Sequence, residues 1–133
     1  MTKKILITGA GGFVGSYLIK ELQKDESNEI YGSVYKSTSD ITNLLPKDHI
    51  LTGDLTQKEV ADSHVKGSMP DVIYHLAALS VVHNSTSNAL ATLQGNTAIS
   101  YNLFEAIREF APSARTIAVC SANVYGSVDP KNI

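Results

Sequence analysis

Four glycines lie within seven residues near the start of the chain, between one apolar run and the next. Three of them have the spacing Gly9-x-x-Gly12-x-x-Gly15, and Gly11 is the fourth. A turn with so few side chains lets another molecule approach the backbone, and the N–H groups at the start of a helix attract anions. This spacing therefore predicts that a phosphate or pyrophosphate group binds against bare backbone. A glycine-rich turn without a ligand is the alternative.

The elements on either side of the glycines favour the first interpretation. Lys4 to Thr8 is predicted to be a short buried strand, because apolar residues fill its centre. Val14, Leu18 and Leu22 recur every four residues after the glycines, which is the spacing of one face of a helix. A strand that enters a helix through a glycine turn is the usual setting of a phosphate site.

Strands and helices alternate along the rest of the chain. The further predicted strands are Ile30 to Val34, His49 to Thr52, Val72 to Leu76 and Thr116 to Cys120. Thr56 and Glu59 are predicted to form a capping box at the start of a short helix. Ala91 to Phe110 is predicted to be a long helix, ended by Pro112. The alternation predicts an α/β fold with a doubly wound parallel sheet, whose ligands bind beyond the carboxyl ends of the strands.

The composition is that of an ordinary soluble domain, since 43% of the 133 residues are apolar and 18% are charged. The length suggests one domain. The formal net charge of -2 gives no reason to expect a nucleic acid or a membrane surface as partner. No apolar run is long enough to span a bilayer, and the first residues do not have the pattern of a signal peptide.

The cysteine and the histidines predict neither a disulfide nor a metal site. Cys120 is the single cysteine, so a reducing, cytoplasmic environment is expected, and Cys120 is predicted to be a small buried strand residue. His49, His64 and His83 lack the spacing of metal ligands. His75 lies within an apolar strand, where a hydrogen-bonded core histidine is expected.

Five segments of the chain together resemble the extended short-chain dehydrogenase/reductases, the group of nucleotide-sugar epimerases, dehydratases and reductases. In chain order they are TGAGGFVGSYL (8–18), GDLT (53–56), VIYHLAA (72–78), GNTAISYNLFEAIRE (95–109) and CSANVYG (120–126). Each segment alone is weak, but five in this order are specific, and they cover essentially the whole chain. The resemblance implies a Rossmann fold with strand order 3-2-1-4-5.

The resemblance also implies a dinucleotide cofactor. The glycine turn would bind its pyrophosphate, the GDLT segment its adenine, and the end of VIYHLAA would pass under the nicotinamide-side ribose. The expected cofactor-binding residues are Gly9, Gly12, Phe13, Val14, Gly15, Tyr35, Lys36, Asp54, Leu55, Leu76, Ala77, Ala78 and Asn96. Asp54 would accept a hydrogen bond from the adenine amino group, Leu55 would pack on the ring, and Asn96 would tie its helix to nearby backbone. A turn aspartate and a solvated asparagine are the alternatives for Asp54 and Asn96.

Catalysis in the resembled family uses a Ser or Thr and a Tyr-x-x-x-Lys pair. Ser121 matches the hydroxyl, which would hydrogen-bond the reacting oxygen of a sugar while hydride moves; a serine ending a strand is the alternative. None of the six tyrosines has a lysine four positions on. We therefore expect residues 1–133 to be the dinucleotide-binding domain of a longer chain. The expected fragment lacks the later strands and the substrate domain, and has no activity of its own.

The residues after Ser121 bear on the reaction that the complete protein would catalyse. Dehydratases of this group place an acid there, whereas this chain has Ala122 and Asn123, and an asparagine side chain exchanges no proton at neutral pH. A 4-epimerase or 4-keto-sugar reductase acting on a nucleotide-activated sugar is therefore favoured. A nucleotide-sugar 4,6-dehydratase or a non-catalytic NAD(P)-binding module, such as a redox-sensing regulator, is the alternative.

The end of the second predicted strand bears on the choice of dinucleotide. NAD-specific proteins usually carry an acid there, which binds the ribose 2′-hydroxyl. This chain has Val34, Tyr35 and Lys36 instead, so nothing repels a 2′-phosphate and Lys36 could pair with one. We expect NADP rather than NAD, with a solvated loop lysine as the alternative.

The last predicted strand is expected to lie at an open edge of the sheet. Its apolar residues Ile117 to Val119 would then offer unpaired backbone groups to another chain. We expect homo-oligomers formed through this strand, or a strand covered by the tail from Tyr125 to Ile133. An edge that is short enough to stay hydrated is the alternative.

Overall fold

Strands and helices alternate through the computed structural model, which describes residues 2–36, 41–79, 89–121 and 126. The strands are β1 (Lys3–Thr8), β2 (Asn28–Val34), β3 (Ile50–Thr52), β4 (Val72–His75) and β5 (Arg115–Ala118). The α-helices are α1 (Phe13–Leu22), α2 (Lys58–Ser68) and α3 (Ala89–Phe110), and a short 3₁₀ turn (Lys47–His49) precedes β3. None of the helices in these described residues is long and apolar enough to cross a membrane.

The strands form one parallel sheet in the order β3-β2-β1-β4-β5. This confirms the predicted doubly wound α/β fold and its strand order. Thr8 at the end of β1 lies opposite both Ser33 of β2 and His75 of β4. The carboxyl ends of the three central strands are therefore level with one another, which is the edge where such sheets bind ligands.

Both faces of the sheet are covered at its centre, and this explains the continuous apolar sequence of β1. Ile5 and Ile7 lie in one apolar cluster with Ile19 of α1, and Leu6 lies in a second cluster with Leu103 of α3. All five side chains are at most 2% exposed. Helices α2 and α3 pack against each other on the second face. The sheet is thus held rigidly beneath the turn that follows β1.

Two sequence expectations about the ends of elements are wrong. Thr56 does not cap α2, because that helix begins after Gln57 and has no side-chain cap. Strand β5 ends at Ala118, and Cys120 beyond it is exposed rather than buried. Strand β5 ends at Ala118 because its only described partner, β4, ends at His75, and these two residues form the last pair.

Strand β5 lies at the edge of the sheet, and no described strand pairs with its outer side. Arg115 and Val119 donate their N–H groups to the carbonyls of Asp71 and His75. Because backbone groups alternate along a strand, the N–H of Ala118 points away from the sheet. The expected covering concerns the tail of residues 125–133, all of which except Gly126 lie outside the described residues.

We expect the chain to self-associate through β5 at high protein concentration, since an open strand edge pairs readily with another. Ala118→Pro should abolish the association and leave the domain folded, because proline removes only an outward N–H. Sedimentation velocity over a concentration series, with circular dichroism of the variant, measures both. A monomer at every concentration of the unsubstituted chain would contradict the prediction.

Candidate functional site

A cleft of about 590 Å³ opens at the carboxyl ends of the central strands. The glycine turn, the end of β2, the loop between β3 and α2, and the segment after β4 surround it. The lining residues are Gly9, Gly11, Gly12, Phe13, Val14, Gly15, Val34, Tyr35, Gly53, Asp54, Leu55, Thr56, Leu76, Ala77, Ala78, Leu79 and Ile99. All the expected cofactor-binding residues are among them except Lys36 and Asn96. The fold therefore gathers four segments that are far apart in the sequence.

A side chain is absent for a different structural reason at each of three glycines of the turn. Gly9 has a φ of 71°, and a β-carbon there would lie 2.9 Å from the backbone nitrogen of Ala77. A β-carbon on Gly15 would lie 2.5 Å from the Gly9 carbonyl oxygen, so Gly15 lets α1 pack against the turn. A β-carbon on Gly12 would meet only that same oxygen, at 3.2 Å. Gly12 is thus the position where a missing side chain leaves space in the cleft rather than in the core.

The start of α1 presents hydrogen-bond donors beside this space. The first N–H of α1 that pairs along the helix is that of Ser16, which bonds the carbonyl of Gly12. The N–H groups of Phe13, Val14 and Gly15 precede it and lie outside the helical ladder. The first turn contains no acidic residue, so nothing there opposes an anion. Exposed donors beside bare backbone suit the pyrophosphate of a dinucleotide.

The loop after β3 is shaped by Asp54. Its Oδ1 accepts hydrogen bonds from the backbone N–H of Thr56 at 2.9 Å and from the Thr56 hydroxyl at 2.8 Å. Asp54 is therefore a turn aspartate, which was the alternative interpretation of its sequence position. It also lines the cleft, so the turn and an adenine contact are compatible.

Asn102 of α3 fixes the same loop, and sequence reasoning missed it. Its Nδ2 donates to the carbonyl of Leu55 at 3.1 Å and to that of Thr56 at 2.8 Å. The side chain lies on the buried face of the helix, whose other buried residues, Ile99, Leu103, Ala106 and Ile107, are all apolar. A polar residue on an apolar helix face is the one signal in the sequence that could have indicated it. The loop that carries Asp54 is thus tied to α3.

Thr8 holds the segment after β4 and was also missed. Its Oγ1 accepts hydrogen bonds from the N–H groups of Leu76 and Ala77, both at 3.2 Å. It also lies 2.8 Å from His75 Nδ1. His75 is buried and hydrogen-bonded, as expected, and burial lowers the pKa of its imidazole.

Three predicted site residues lie outside the lining of the cleft. Asn96 exchanges two hydrogen bonds with the backbone of Leu79, which is the expected tie between its helix and nearby backbone. Lys36 places its Nζ 5.0 Å from the ring centroid of Tyr35, which does line the cleft. Ser121 is exposed just beyond β5, at the same edge of the sheet as the cleft. The binding and catalytic roles of these residues stay predictions.

Fold and cleft together define a doubly wound α/β protein with a candidate binding site at its glycine turn. The chain belongs to the NAD dependent epimerase/dehydratase family, whose family model matches residues 5–133. Because the matched range includes both the glycine turn and Ser121, it spans every expected site residue.

Individual relatives agree with this assignment. The chain is 34% identical to an uncharacterized UDP-glucose epimerase, YtcB, of Bacillus subtilis (strain 168), over 96% of this chain and 43% of that protein. It is 30% identical to a GDP-6-deoxy-D-talose 4-dehydrogenase of Aggregatibacter actinomycetemcomitans, over 96% of this chain and 38% of that one. The chain thus spans about two fifths of the length of these relatives.

A solved structure shares the fold. It is a UDP-glucose-4-epimerase from Stenotrophomonas maltophila with bound NAD and formylated UDP-arabinopyranose. The TM-score is 0.81 at 22% sequence identity, and the match covers 98% of this chain and 40% of that chain. At this identity the likeness supports the architecture of the sheet and helices.

Proposed function

We propose that residues 1–133 are the dinucleotide-binding domain of a longer NAD(P)-dependent enzyme, a 4-epimerase or 4-keto-sugar reductase acting on a nucleotide-activated sugar. One observation carries the proposal: the glycine turn and the segment after β4 meet across one cleft, with bare glycine backbone on one side and the small side chains of Ala77 and Ala78 on the other. The two curated relatives, an epimerase and a 4-dehydrogenase of nucleotide sugars, support the substrate class.

The lining offers suitable groups for the adenine, the pyrophosphate and the nicotinamide-side ribose of a dinucleotide. The unpaired N–H groups of Phe13, Val14 and Gly15 would hold the pyrophosphate, and Asp54 with Leu55 would hold the adenine. Ala77 and Ala78 would leave room for the ribose on the nicotinamide side. When bound, the dinucleotide would supply the hydride acceptor and donor. The protein's own groups bind and orient it, and the small side chains keep the reacting face open to the sugar.

Ser121 is the catalytic group that these residues would contribute. A hydroxyl hydrogen-bonded to the reacting oxygen stabilises the charge that develops there during hydride transfer. The proton itself would pass through the Tyr-x-x-x-Lys pair, which the proposal assigns to the remainder of the longer protein. Asn123, two positions after Ser121, supports an epimerase or a reductase over a dehydratase, because an amide neither gives nor takes the proton needed to remove water.

Products distinguish the two favoured reactions in the longer protein. An epimerase interconverts the two C4 epimers of its nucleotide sugar without net consumption of NADPH. A reductase consumes one NADPH for each 4-keto sugar reduced. Dinucleotide binding without either reaction would indicate a non-catalytic module instead.

The end of β2 supports NADP as the preferred dinucleotide. Tyr35 is exposed and lines the cleft, and the Lys36 ammonium group lies over its ring. Val34, Tyr35 and Lys36 bring no carboxylate to this end of the cleft. A lysine near the adenine-side ribose would pair with a 2′-phosphate, which NAD lacks.

Calorimetric titration with NADP and NAD tests both the function and this preference. We expect NADP to bind more tightly, and Lys36→Ala to weaken NADP by about tenfold while leaving NAD unchanged, as for loss of one charged hydrogen bond. Lys20→Ala is the matched control, because Lys20 lies over the ring of Tyr17 in a similar arrangement on α1. Binding of neither dinucleotide would contradict the proposed function. Tighter binding of NAD, with no effect of Lys36→Ala, would contradict only the preference.

A further inference from the structure

A network of side-chain hydrogen bonds lies beside the wall of the cleft and connects β1, β4 and α3. The Thr8 hydroxyl lies 2.8 Å from His75 Nδ1, and His75 Nε2 lies 3.0 Å from the Ser100 hydroxyl. Thr8 is fully buried and His75 is 6% exposed, so water does not compete with the bond between them, whereas the bond to Ser100 is partly buried. The ring of His75 also contacts Phe104 edge-on, with the centroids 6.0 Å apart. The imidazole is thus fixed on both nitrogens and on its face.

One assignment of the protons satisfies all the hydrogen bonds in this network. The Thr8 hydroxyl already accepts hydrogen bonds from the N–H groups of Leu76 and Ala77, and the Leu76 N–H is shared with the Thr8 carbonyl at the same distance of 3.2 Å. A hydroxyl has two acceptor positions and one proton, so Thr8 must donate that proton to His75 Nδ1. Nδ1 is then an acceptor, and the ring proton sits on Nε2, which donates to Ser100. This arrangement exists only for a neutral imidazole.

The surroundings of His75 favour the neutral form. Strand β1 presents the Thr8 hydroxyl, α3 presents Ser100 and Phe104, and β5 pairs Ala118 with His75. None of these groups ionises. Burial is the cause that lowers the pKa of His75, and no partner charge is there to oppose it.

The same backbone that Thr8 holds forms the wall of the cleft. Leu76 and Ala77 line it, and the backbone of Ala77 lies so close to Gly9 that a β-carbon on Gly9 would not fit. A proton on His75 Nδ1 would turn the acceptor of the Thr8 hydroxyl into a second donor. Thr8 would then have to accept from three donors with two positions, so at least one of the backbone N–H bonds would be lost.

We propose that His75 is a positioning residue: as the neutral Nε2–H tautomer, it orients the Thr8 hydroxyl, which holds the Leu76–Ala77 backbone in the form that binds the dinucleotide. This proposal rests on the proposed function. It makes dinucleotide affinity depend on the protonation of a side chain that lines no part of the cleft. Protonation of His75 and binding of the dinucleotide oppose each other, so affinity falls as the pH drops through the pKa of His75, which burial holds below the ordinary histidine value.

The tautomer is measured first, without any ligand. Side-chain ¹H–¹⁵N NMR correlation distinguishes a protonated Nε2 from a protonated Nδ1, and His75→Asn assigns the signal. We expect the neutral Nε2–H form of His75 at pH 7.5. A signal from the Nδ1–H tautomer would overturn the proposal.

Affinity for NAD⁺ between pH 7.5 and 5.5 is measured next, with circular dichroism to confirm that each sample is folded. NAD⁺ is the probe because it lacks the 2′-phosphate of NADP, whose own titration near pH 6 would obscure the profile. We expect the affinity of the unsubstituted chain to fall toward the acid end of this range, by at most about tenfold per pH unit, because one proton is linked to binding. Thr8→Val should lose about fivefold already at pH 7.5, and its profile should be flatter, because no hydroxyl is left to reorient. Thr8→Ser keeps the hydroxyl and should restore both the affinity and the profile.

His64→Asn is the matched control. His64 is likewise buried, bonds the Ser33 hydroxyl through Nδ1 at 3.0 Å, and has a pKa lowered first of all by burial. Its substitution should leave the pH profile of NAD⁺ affinity unchanged. If Thr8→Val does not fold, Ser100→Ala replaces it, since loss of the Nε2 partner should also alter the profile. Absence of NAD⁺ binding at every pH would overturn the proposed function and this proposal with it. Binding whose pH profile is the same in all variants would overturn this proposal alone.

Discussion

Replacing Gly12 with valine is expected to weaken dinucleotide binding by about a hundredfold or more, roughly 2.7 kcal/mol, while the domain stays folded. The valine side chain would occupy the space in front of the first N–H groups of α1, where the pyrophosphate is proposed to bind. Gly12 lines the cleft and is exposed, so the added atoms meet the ligand rather than the core.

The backbone at Gly12 tolerates the substitution. Its φ of -79° and ψ of 172° are extended values that valine adopts readily. The one close neighbour of a β-carbon there is the Gly9 carbonyl oxygen at 3.2 Å, which requires a shift of a few tenths of an ångström. Thermal unfolding should therefore change little.

Gly67→Val is the matched control for this experiment. Gly67 is an exposed glycine within α2, and a β-carbon there would meet only Leu51 Cδ2, at 4.0 Å. Calorimetric titration of both variants with NADP and NAD gives the comparison. Unchanged affinity in Gly12→Val, with the protein folded, would remove the assignment of the glycine turn as the pyrophosphate site.

Gly9→Ala is expected to destabilise the fold by about 3 kcal/mol. Two costs add at this position. A residue with a β-carbon at positive φ costs roughly 1–2 kcal/mol, and forcing atoms into a packed region costs about 1–3 kcal/mol. Here the overlap is with backbone atoms of Leu76 and Ala77, at 3.0 and 2.9 Å, which cannot rotate away. Denaturant unfolding measures the free-energy difference.

Gly126→Ala separates the two costs. Gly126 has a φ of 67°, close to that of Gly9, but none of the residues that the structure describes lies within 4 Å of a β-carbon there. Its substitution should cost at most about 1–2 kcal/mol, the conformational contribution alone. Equal effects of the two substitutions would show that the contact between the glycine turn and the end of β4 does not constrain Gly9.

The sequence predicted the features that local chemistry determines. Ile5, Leu6 and Ile7 form a continuous apolar run because both faces of β1 are buried, and that run identified the first strand. The glycine spacing indicated the binding edge, because only a few local geometries require so many glycines together. The strand order rested on the family resemblance, since the same alternation of strands and helices fits more than one order. The resemblance also predicted the tie between Asn96 and backbone near the cleft.

The tertiary structure decided which polar side chains hold the cleft together. Thr8 and His75 are 67 positions apart, and Asn102 is 47 positions from Leu55, yet each pair forms a direct hydrogen bond. The types of these residues are compatible with many roles, and their partners are set by how strands and helices pack, which no local spacing encodes. Cys120 was misjudged for the same reason: its exposure depends on where the ladder between β4 and β5 ends. Local sequence therefore determined where the dinucleotide is proposed to bind, and long-range packing determined how that edge of the sheet is held in shape.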